Sequence, residues 1–287
     1  MEIFANMNLI ERTINFIASK SWGVDIEWGI SQVAKSFVAM SSDAPKDALS
    51  SLKEETFSVS TLPVSISNRY GTTDYNIKEI SFNGVMQLEG GLCSYGVQDV
   101  ITELYKAYNN PEISAVLLTM NSGGGDPQAG SELSQALKDK TKPVVARVYT
   151  CASACYMGVL NADEIIAASE YSNIGSIGAF ISVNSKFLKE YSEQIIDIYA
   201  TNSPNKNDVF RGFLAGDYTA AQRSIDSLAQ IFQNDVKNTR KLSEKYTDTL
   251  SGGIWKASEA KKRGLIDSIG SKNYAIKRII NYLNSKK

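Results

Sequence analysis

Between residues 80 and 170, apolar segments alternate with amphipathic ones, and this alternation constrains the fold more than any other feature of the chain. Apolar stretches such as ISAVLLTMNS and PVVARVYT are separated by stretches with helical periodicity such as GSELSQALKDK. Strands that alternate with helices of about 10–15 residues predict parallel βαβ units whose helices cover the sheet. We therefore expect an α/β fold with a mostly parallel sheet.

The segments on either side predict helical additions to this α/β body. Residues 41–56 are polar and interrupted by Pro45, which predicts a linker. The expected division is a helical N-terminal extension and linker over 1–56, an α/β domain over 57–270 and a helical tail over 271–287. Within these regions, helices are predicted at residues 9–17, from about 219 to 246, and from about 272 onward.

Composition excludes several classes of protein. A formal charge of −1 over 287 residues, with no long basic run, gives no reason to expect a nucleic-acid partner. No apolar run approaches about 20 residues, so no transmembrane segment is predicted, and the opening residues do not form a signal peptide. The three cysteines, Cys93, Cys151 and Cys155, are too few for a disulfide framework and predict reduced thiols in a cytoplasm-like compartment. The sequence predicts no metal site and no cofactor.

A serine stands at the junction of a predicted strand and a predicted helix, in VYTCASACYM. This residue, Ser153, has the placement of a nucleophile at a strand-to-helix turn, although a helix N-cap would explain it too. One βα unit earlier, Gly123, Gly124 and Gly125 follow another buried strand. Their N–H groups could hold an oxyanion or a phosphate, although a tight turn alone would also explain them. Consecutive parallel strands end at one edge of a sheet, so we expect both turns to face one crevice.

A third stretch, YSNIGSIGAFISV over residues 171–183, interrupts an apolar strand with two glycines. Glycine inside a strand often marks the close approach of another backbone, and an extended peptide substrate needs such an edge. We therefore predict substrate contacts at Gly123, Gly125, Gly175, Ile177 and Gly178.

Four motifs in order carry a resemblance to a known family: NSGGG, CASACY, NIGSIGAF and GGIWKASEAKKRGLID. The sequence resembles the signal peptide peptidase A family of serine peptidases, including its phage-encoded prohead protease branch, over residues 80–267. The resemblance implies the Clp protease/crotonase fold and assembly into rings. Gly123 stands where the family usually has proline, and Ala154 and Cys155 replace two glycines after the nucleophile. Alanine keeps its N–H group, whereas Cys155 changes the local packing.

The chain contains no histidine, so a carboxylate, a lysine or the N-terminal amine has to take the proton of Ser153. The resemblance implies a Ser–Lys dyad whose lysine follows a strand, which identifies Lys206, 53 residues beyond Ser153. Burial disfavours the ammonium form, so a partly desolvated lysine can act as a base. Lys186 and Lys189, on a predicted helix, are the competing candidates.

The resemblance assigns the remaining parts of the site as well. It implies that Ser176 orients the lysine amine, and that the N–H groups of Gly124 and Ala154 form the oxyanion hole. Asp126 and Asp163 are expected to be structural, as residues of turns and helix ends.

Three interpretations of function remain open from sequence. The first is a serine endopeptidase with a Ser153–Lys206 dyad, acting either in phage head maturation on capsid or scaffold proteins or as a cytoplasmic bacterial peptidase. The second is a crotonase-like acyl-CoA enzyme, because a fold does not fix a function. The third is a catalytically inactive assembly protein. We expect a polypeptide substrate and a homo-oligomer, with the active site completed or closed by assembly.

Overall fold

The computed structural model describes residues 21–24, 54, 56–69, 71–91 and 94–285. The predicted helix at 9–17, nearly all of the predicted linker at 41–56, and Cys93 lie outside the described residues. In the part that is described, no helix combines the length and the apolar composition that a membrane span requires.

An eight-stranded mixed sheet forms the body of the molecule. Its continuous path runs β10-β8-β6-β4-β3-β2, with β7 beside β6 and β11 beside β7. The pairings β3–β4, β4–β6, β6–β7, β6–β8 and β7–β11 are parallel, whereas β2 and β10 pair antiparallel at the two ends. The prediction of an α/β fold with a mostly parallel sheet is confirmed. These strands are β2 (Phe57–Asn68), β3 (Gly71–Asn83), β4 (Ala115–Ser122), β6 (Val144–Ala152), β7 (Glu164–Ala167), β8 (Asn173–Gly175), β10 (Ile254–Lys256) and β11 (Ser268–Ile269).

A second, three-stranded sheet contains short strands only, in the order β5-β1-β9. The central strand comes from the N-terminal region and the outer two from the α/β body. The strands are β1 (Ser21–Val24), β5 (Gly124–Gly125) and β9 (Phe180–Ile181). Both outer strands pair antiparallel with β1.

Helices connect the parallel strands and close the C-terminal half. They are α1 (Val97–Asn109), α2 (Pro127–Lys138), α3 (Ala154–Val159), α4 (Ser185–Gln194), α5 (Asp208–Ala215), α6 (Thr219–Thr239), α7 (Ala257–Arg263) and α8 (Lys272–Ser285).

The prediction that α6 continues to residue 246 is wrong. The helix ends at Thr239, and Arg240 has extended dihedrals of φ −116° and ψ 139°. The Arg240 guanidinium donates to Asp267 at 2.9 Å and to the Gly264 carbonyl at 3.1 Å. These contacts redirect the chain, and tertiary contacts of this kind override helical periodicity in a sequence.

The two faces of the sheet bury alternate residues of the same strands. On β4, Val116 and Leu118 belong to a core shared with α1, α2 and α3, whereas Leu117 belongs to a second core shared with α8. Side chains of a strand point alternately to opposite faces, so a strand covered on both sides reads as one continuous apolar run. This is why AVLLTM predicts a fully buried strand.

Candidate active site

Ser153 occupies a strained turn between β6 and α3. Its dihedrals are φ 52° and ψ −124°, a backbone conformation that residues other than glycine rarely adopt. The turn is held by two backbone hydrogen bonds, from the Ser153 N–H to the Gly175 carbonyl at 2.8 Å and from the Met157 N–H to the Ser153 carbonyl at 3.0 Å. Such a conformation costs about 1–3 kcal/mol and is kept only where the surroundings impose it. A strained turn between a strand and a helix also carries the nucleophilic serine in hydrolases of other folds.

The Ser153 side chain borders a small cavity of about 10 Å³, close to the room that one water molecule needs. The residue is 2% exposed. Apolar side chains and backbone make up most of the wall, which is formed by Pro127, Ser153, Ala154, Met157, Gly178, Ala179, Leu228 and Phe232. The cavity therefore joins the serine turn to the segment that follows Ser176 and to helix α6.

The glycine turn packs against the helix that follows Ser153. Strand β5, formed by Gly124 and Gly125, contacts both α2 and α3. Gly125 has φ +150°, and a β-carbon there would lie 2.2 Å from the Met86 carbonyl oxygen. Only glycine fits this approach of two backbones. The sequence prediction that the two turns face one region agrees with this packing.

The Gly124 N–H, which is expected from the sequence to be an oxyanion donor, already has an acceptor. In this structure it donates to the Ser122 hydroxyl oxygen at 3.1 Å. Ser122 is fully buried, and a buried hydroxyl requires hydrogen-bond partners. An oxyanion at Gly124 would therefore have to replace the Ser122 hydroxyl. Ala154 differs, because the N–H groups in the first turn of a helix have no intrahelical acceptor.

The chain turns sharply at Ser176. The prediction of one strand interrupted by glycines over residues 171–183 is therefore wrong, because two strands in different sheets form there. Ser176 has φ 52°, and it separates β8, in the large sheet, from β9, in the small one. The close backbone approach predicted at Gly175 is made by the chain itself: a β-carbon there would lie 2.5 Å from the Gly253 carbonyl oxygen. The Ser176 N–H donates to the same carbonyl at 2.7 Å.

Of the five predicted substrate contacts, two lie beside the Ser153 cavity or in the small sheet, and three are buried or covered by the chain itself. Gly178 lines the cavity beside Ser153, and Gly125 pairs with β1 in the small sheet. The Ile177 side chain is fully buried in the core, so only its backbone could contact a substrate. Gly123 is buried between β4 and β5, and Gly175 lies against β10.

Lys206 lies in an exposed turn between α4 and α5. Its backbone N–H donates to the Ser203 carbonyl at 3.1 Å, whereas its side chain makes no ion pair or hydrogen bond within the described residues. The strand expected before it is not formed: residues 195–200 pair with no described strand, and Ile196 and Ile198 are 90% and 94% exposed. The structure therefore does not bring Lys206 into contact with Ser153.

The competing lysines lie on a helix, as predicted. Lys186 and Lys189 belong to α4, which has no buried residue. Lys186 is 3.6 Å from Glu190 in an exposed ion pair one helical turn away. Neither lysine contacts the Ser153 turn.

The two acidic residues expected to be structural have structural contacts. Asp126 is the N-cap of α2 and accepts the Gln128 N–H at 2.9 Å. Asp163 accepts the Val144 N–H at 2.7 Å and lies 3.7 Å from Lys140.

Two cysteines flank Ser153 in the core. The sulfur atoms of Cys151 and Cys155 are 3.5 Å apart and both residues are fully buried. Burial raises the pKa of the Cys151 thiol well above its ordinary value, and the neighbouring Cys155 raises it further by a smaller amount. Cys151 is therefore a packed, protonated side chain. Among the residues that the structure describes, no group of three His, Cys, Asp or Glu side chains is placed to hold a metal ion.

Sequence reasoning missed two residues that shape the site. The Asn121 side-chain oxygen accepts the Thr150 N–H at 3.1 Å and its amide donates to Asn83 at 2.9 Å, which ties together the ends of β3, β4 and β6. The Trp255 indole packs over the position where Gly175 lacks a side chain. The sequence contained both residues within its motifs, but these contacts depend on strand order.

Comparison with known proteins identifies the family. The sequence profile of peptidase family S49 matches residues 136–285, more than half of the chain, including Ser153 and Lys206. The chain belongs to peptidase family S49. The resemblance stated from the four motifs is thereby confirmed at the level of the family.

Relatives of similar sequence carry peptidase names. A Methanocaldococcus jannaschii protein named as a candidate protease is 30% identical over 178 residues, covering 60% of this chain and 57% of the relative. Protease 4 of Haemophilus influenzae is 26% identical over 189 residues, and the chloroplastic serine protease SPPA of Arabidopsis thaliana is 24% identical over 211 residues. These two matches cover 64% and 67% of this chain, but only 31% and 30% of the relatives. The chain thus spans between about a third and a little over half of the length of these proteins.

Solved structures with a similar arrangement include two enoyl-CoA hydratases. One, from Mycobacterium marinum, has a TM-score of 0.41 and 15% identity, covering 78% of this chain and 83% of the other. The second, from Bacillus anthracis, has a TM-score of 0.39 and 14% identity, covering 79% and 75%. Similarity at this level carries no information on activity.

Proposed function

We propose that this protein is a serine peptidase that cleaves peptide bonds through an acyl-enzyme on Ser153. The observation that carries the proposal is the strained turn of Ser153 beside a small cavity, in a chain of family S49. A serine that served only as an N-cap would accept a hydrogen bond from its helix, whereas the Ser153 side chain makes no capping bond. Family membership also argues against the alternative of an acyl-CoA enzyme.

The proposed reaction has two steps. The Ser153 oxygen forms a bond to the carbonyl carbon of the substrate, and the peptide C–N bond then breaks as the amine leaves with a proton. Water hydrolyses the resulting ester. The Ala154 N–H, and the Gly124 N–H once the substrate oxygen has replaced Ser122, would stabilise the oxyanion, each donor contributing on the order of 3 kcal/mol.

Loss of the Ser153 hydroxyl tests the nucleophile. We expect Ser153→Ala to abolish cleavage of a fluorogenic peptide or of casein while the circular dichroism spectrum stays unchanged. Ser172→Ala is the matched control, because Ser172 is also buried but its hydroxyl bonds only to backbone, donating to the Val148 carbonyl and accepting the Ser169 N–H. Parental activity in Ser153→Ala would contradict the proposal.

We propose Lys206 as the general base and Ser176 as the residue that orients its amine. A lysine has to lose its charge before it can accept the Ser153 proton, and burial favours that loss. Lys206 is exposed in the single chain, so this role requires a further element to cover it. The proposal is supported by the neighbouring segment, where Ile196 and Ile198 expose apolar side chains that a second copy could bury.

Substitution of the lysines tests the base. Lys206→Arg should be inactive although it keeps the charge, because a guanidinium does not deprotonate in this range. Lys186→Ala and Lys189→Ala are the controls and should keep most activity. An active Lys206→Arg variant, or a loss of activity confined to Lys186→Ala, would identify another lysine.

Completion of the site by assembly has a separate test. We expect activity per chain to rise with protein concentration in step with the appearance of oligomers in light scattering. Full activity of a particle with the mass of one chain at micromolar concentration would contradict it.

The finer assignment stays a prediction from sequence: processing of capsid or scaffold proteins in phage head maturation, within the cytoplasm of a host. A bacterial peptidase of the same family is the alternative. Portal and major capsid genes beside this gene would support the phage assignment, and co-expression with that capsid protein should then yield a Ser153-dependent cleavage product.

A further inference from the structure

Strand β1 bridges two short strands that do not pair with each other. On one side Gly23 and Val24 pair with Gly125 and Gly124, and on the other Ser21 and Trp22 pair with Ile181 and Phe180. Both pairings are antiparallel. Without β1, therefore, β5 and β9 would present two facing edges with the width of one extended strand between them.

Both edges belong to segments that the proposed reaction uses. Strand β5 is part of the glycine turn that carries the proposed oxyanion donor, Gly124. Strand β9 follows Gly178, which lines the cavity beside Ser153. If the register of β1 with β9 continues by two residues, Val24 lies between Gly124 and Gly178. In that register the C-terminal end of β1 lies beside Gly178, which lines the same cavity as Ser153.

The gap between β5 and β9 has the geometry for an extended polypeptide. A strand added between two edges gains main-chain hydrogen bonds on both sides, and this mode of recognition does not depend on particular side chains. Strand β1 uses those same edges. A substrate strand and β1 cannot occupy the gap together.

We propose that Ser21–Val24 is an inhibitory strand that occupies the substrate groove of its own chain. The proposal rests on the proposed function for the meaning of the groove, and it adds a regulator to that site. Residues 25–56 connect β1 to β2, so the strand is a tethered ligand. A ligand on the same chain binds in an intramolecular step, so its effective concentration can exceed that of free substrate at micromolar concentration and it competes with that substrate.

Proline substitutions within the full chain test this inference. Trp22→Pro/Gly23→Pro removes two backbone donors and is incompatible with a strand paired on both sides. Ser42→Pro, in the predicted linker, is the matched control. All three proteins carry Ser153→Ala, so that binding is measured without turnover.

The first measurement is the anisotropy of a labelled peptide with the sequence of residues 17–28. Apparent affinity falls in proportion to the fraction of open groove, so we expect the peptide to bind the double proline variant at least ten-fold more tightly than the parent or the control. In hydrogen exchange, the amides of Gly125, Phe180 and Ile181 should lose protection in that variant only, whereas the Gly124 amide, which is bonded to Ser122, should keep it. Equal affinities, or no binding to any protein, would overturn the proposal.

Two further results separate this inference from the proposed function. With Ser153 present, the proline variant should have a KM lower by the same factor as its peptide affinity, with kcat unchanged. If no protein cleaves peptide, the proposed function fails, whereas the affinity and exchange results still decide whether β1 blocks the groove. If the difference in peptide affinity between the proline variant and the parent disappears when the protein is diluted, β1 occupies the groove of a second copy. That result would overturn inhibition within one chain.

Discussion

Gly175 offers a sharp test of how the fold positions the nucleophile. Its carbonyl accepts the Ser153 N–H, its φ is +126°, and a β-carbon would lie 2.5 Å from the Gly253 carbonyl oxygen and 3.2 Å from Trp255. Gly71 has nearly the same φ, +132°, and no atom of the described residues lies within 4 Å of the corresponding position. The pair Gly175→Ala and Gly71→Ala therefore separates the cost of the dihedral from the cost of contact.

The expected loss in the free energy of unfolding follows from these two costs. A side chain at such a φ costs about 1–3 kcal/mol, which both variants bear. Overpacking against the Gly253 carbonyl and the Trp255 side chain adds about 1–3 kcal/mol in Gly175→Ala alone. Displacement of the Ser153 turn should also lower kcat/KM about 100-fold, since a shift on the order of 1 Å has that effect.

Urea unfolding followed by fluorescence gives the two free energies of unfolding, and a fluorogenic peptide gives kcat/KM. We expect Gly175→Ala to be the less stable variant and the one that loses activity. Equal destabilisation of the two variants, with activity kept in both, would refute the account of β10 as the support of the serine turn.

Two predictions concern the rest of the fold. Tyr156 is fully buried and its hydroxyl donates to the Leu265 carbonyl at 2.7 Å, so Tyr156→Phe should lower the free energy of unfolding by about 1–3 kcal/mol, whereas Tyr105→Phe, at an exposed hydroxyl, should change it by less than about 0.5 kcal/mol. The hydrogen bond from Arg263 lowers the pKa of Asp248 below its ordinary 3.8. The contribution of this ion pair to the free energy of unfolding is therefore fully present above pH 3.8 and is lost as the pH falls through the lower pKa of the folded state. The free energy of unfolding should therefore fall less steeply with decreasing pH, below pH about 4, in Asp248→Asn than in the parent. Identical pH dependences of the two proteins would contradict this assignment.

The sequence was sufficient for the α/β body because the pattern there is local. Apolar strands such as AVLLTM are covered on both faces, and each is followed by an amphipathic helix, so periodicity alone identifies them. The end of α6 could not be predicted, because it depends on contacts of Arg240 with Asp267 and Gly264, which are distant in sequence. The division of residues 171–183 into β8 and β9 likewise depends on the backbone of Ser176.

The candidate site was predictable in its types of residue and less so in its geometry. Ser153 and the glycine turn follow consecutive strands of the sheet, so sequence order implied their proximity. The bond from Gly124 to Ser122 could not be anticipated, because it requires knowledge of which hydroxyl is buried. The exposure of Lys206 in the single chain was also outside the reach of motif matching, because a motif fixes a residue's position in sequence and not what covers it.

The most direct test of the central claim is covalent labelling of Ser153. After incubation with a fluorophosphonate, intact-mass spectrometry should show one adduct per active site in the parent, and peptide mapping should place it on Ser153. Ser153→Ala should show no adduct under the same conditions, while Ser172→Ala should label like the parent. An adduct on another serine, retained in full by Ser153→Ala, would contradict Ser153 as the nucleophile.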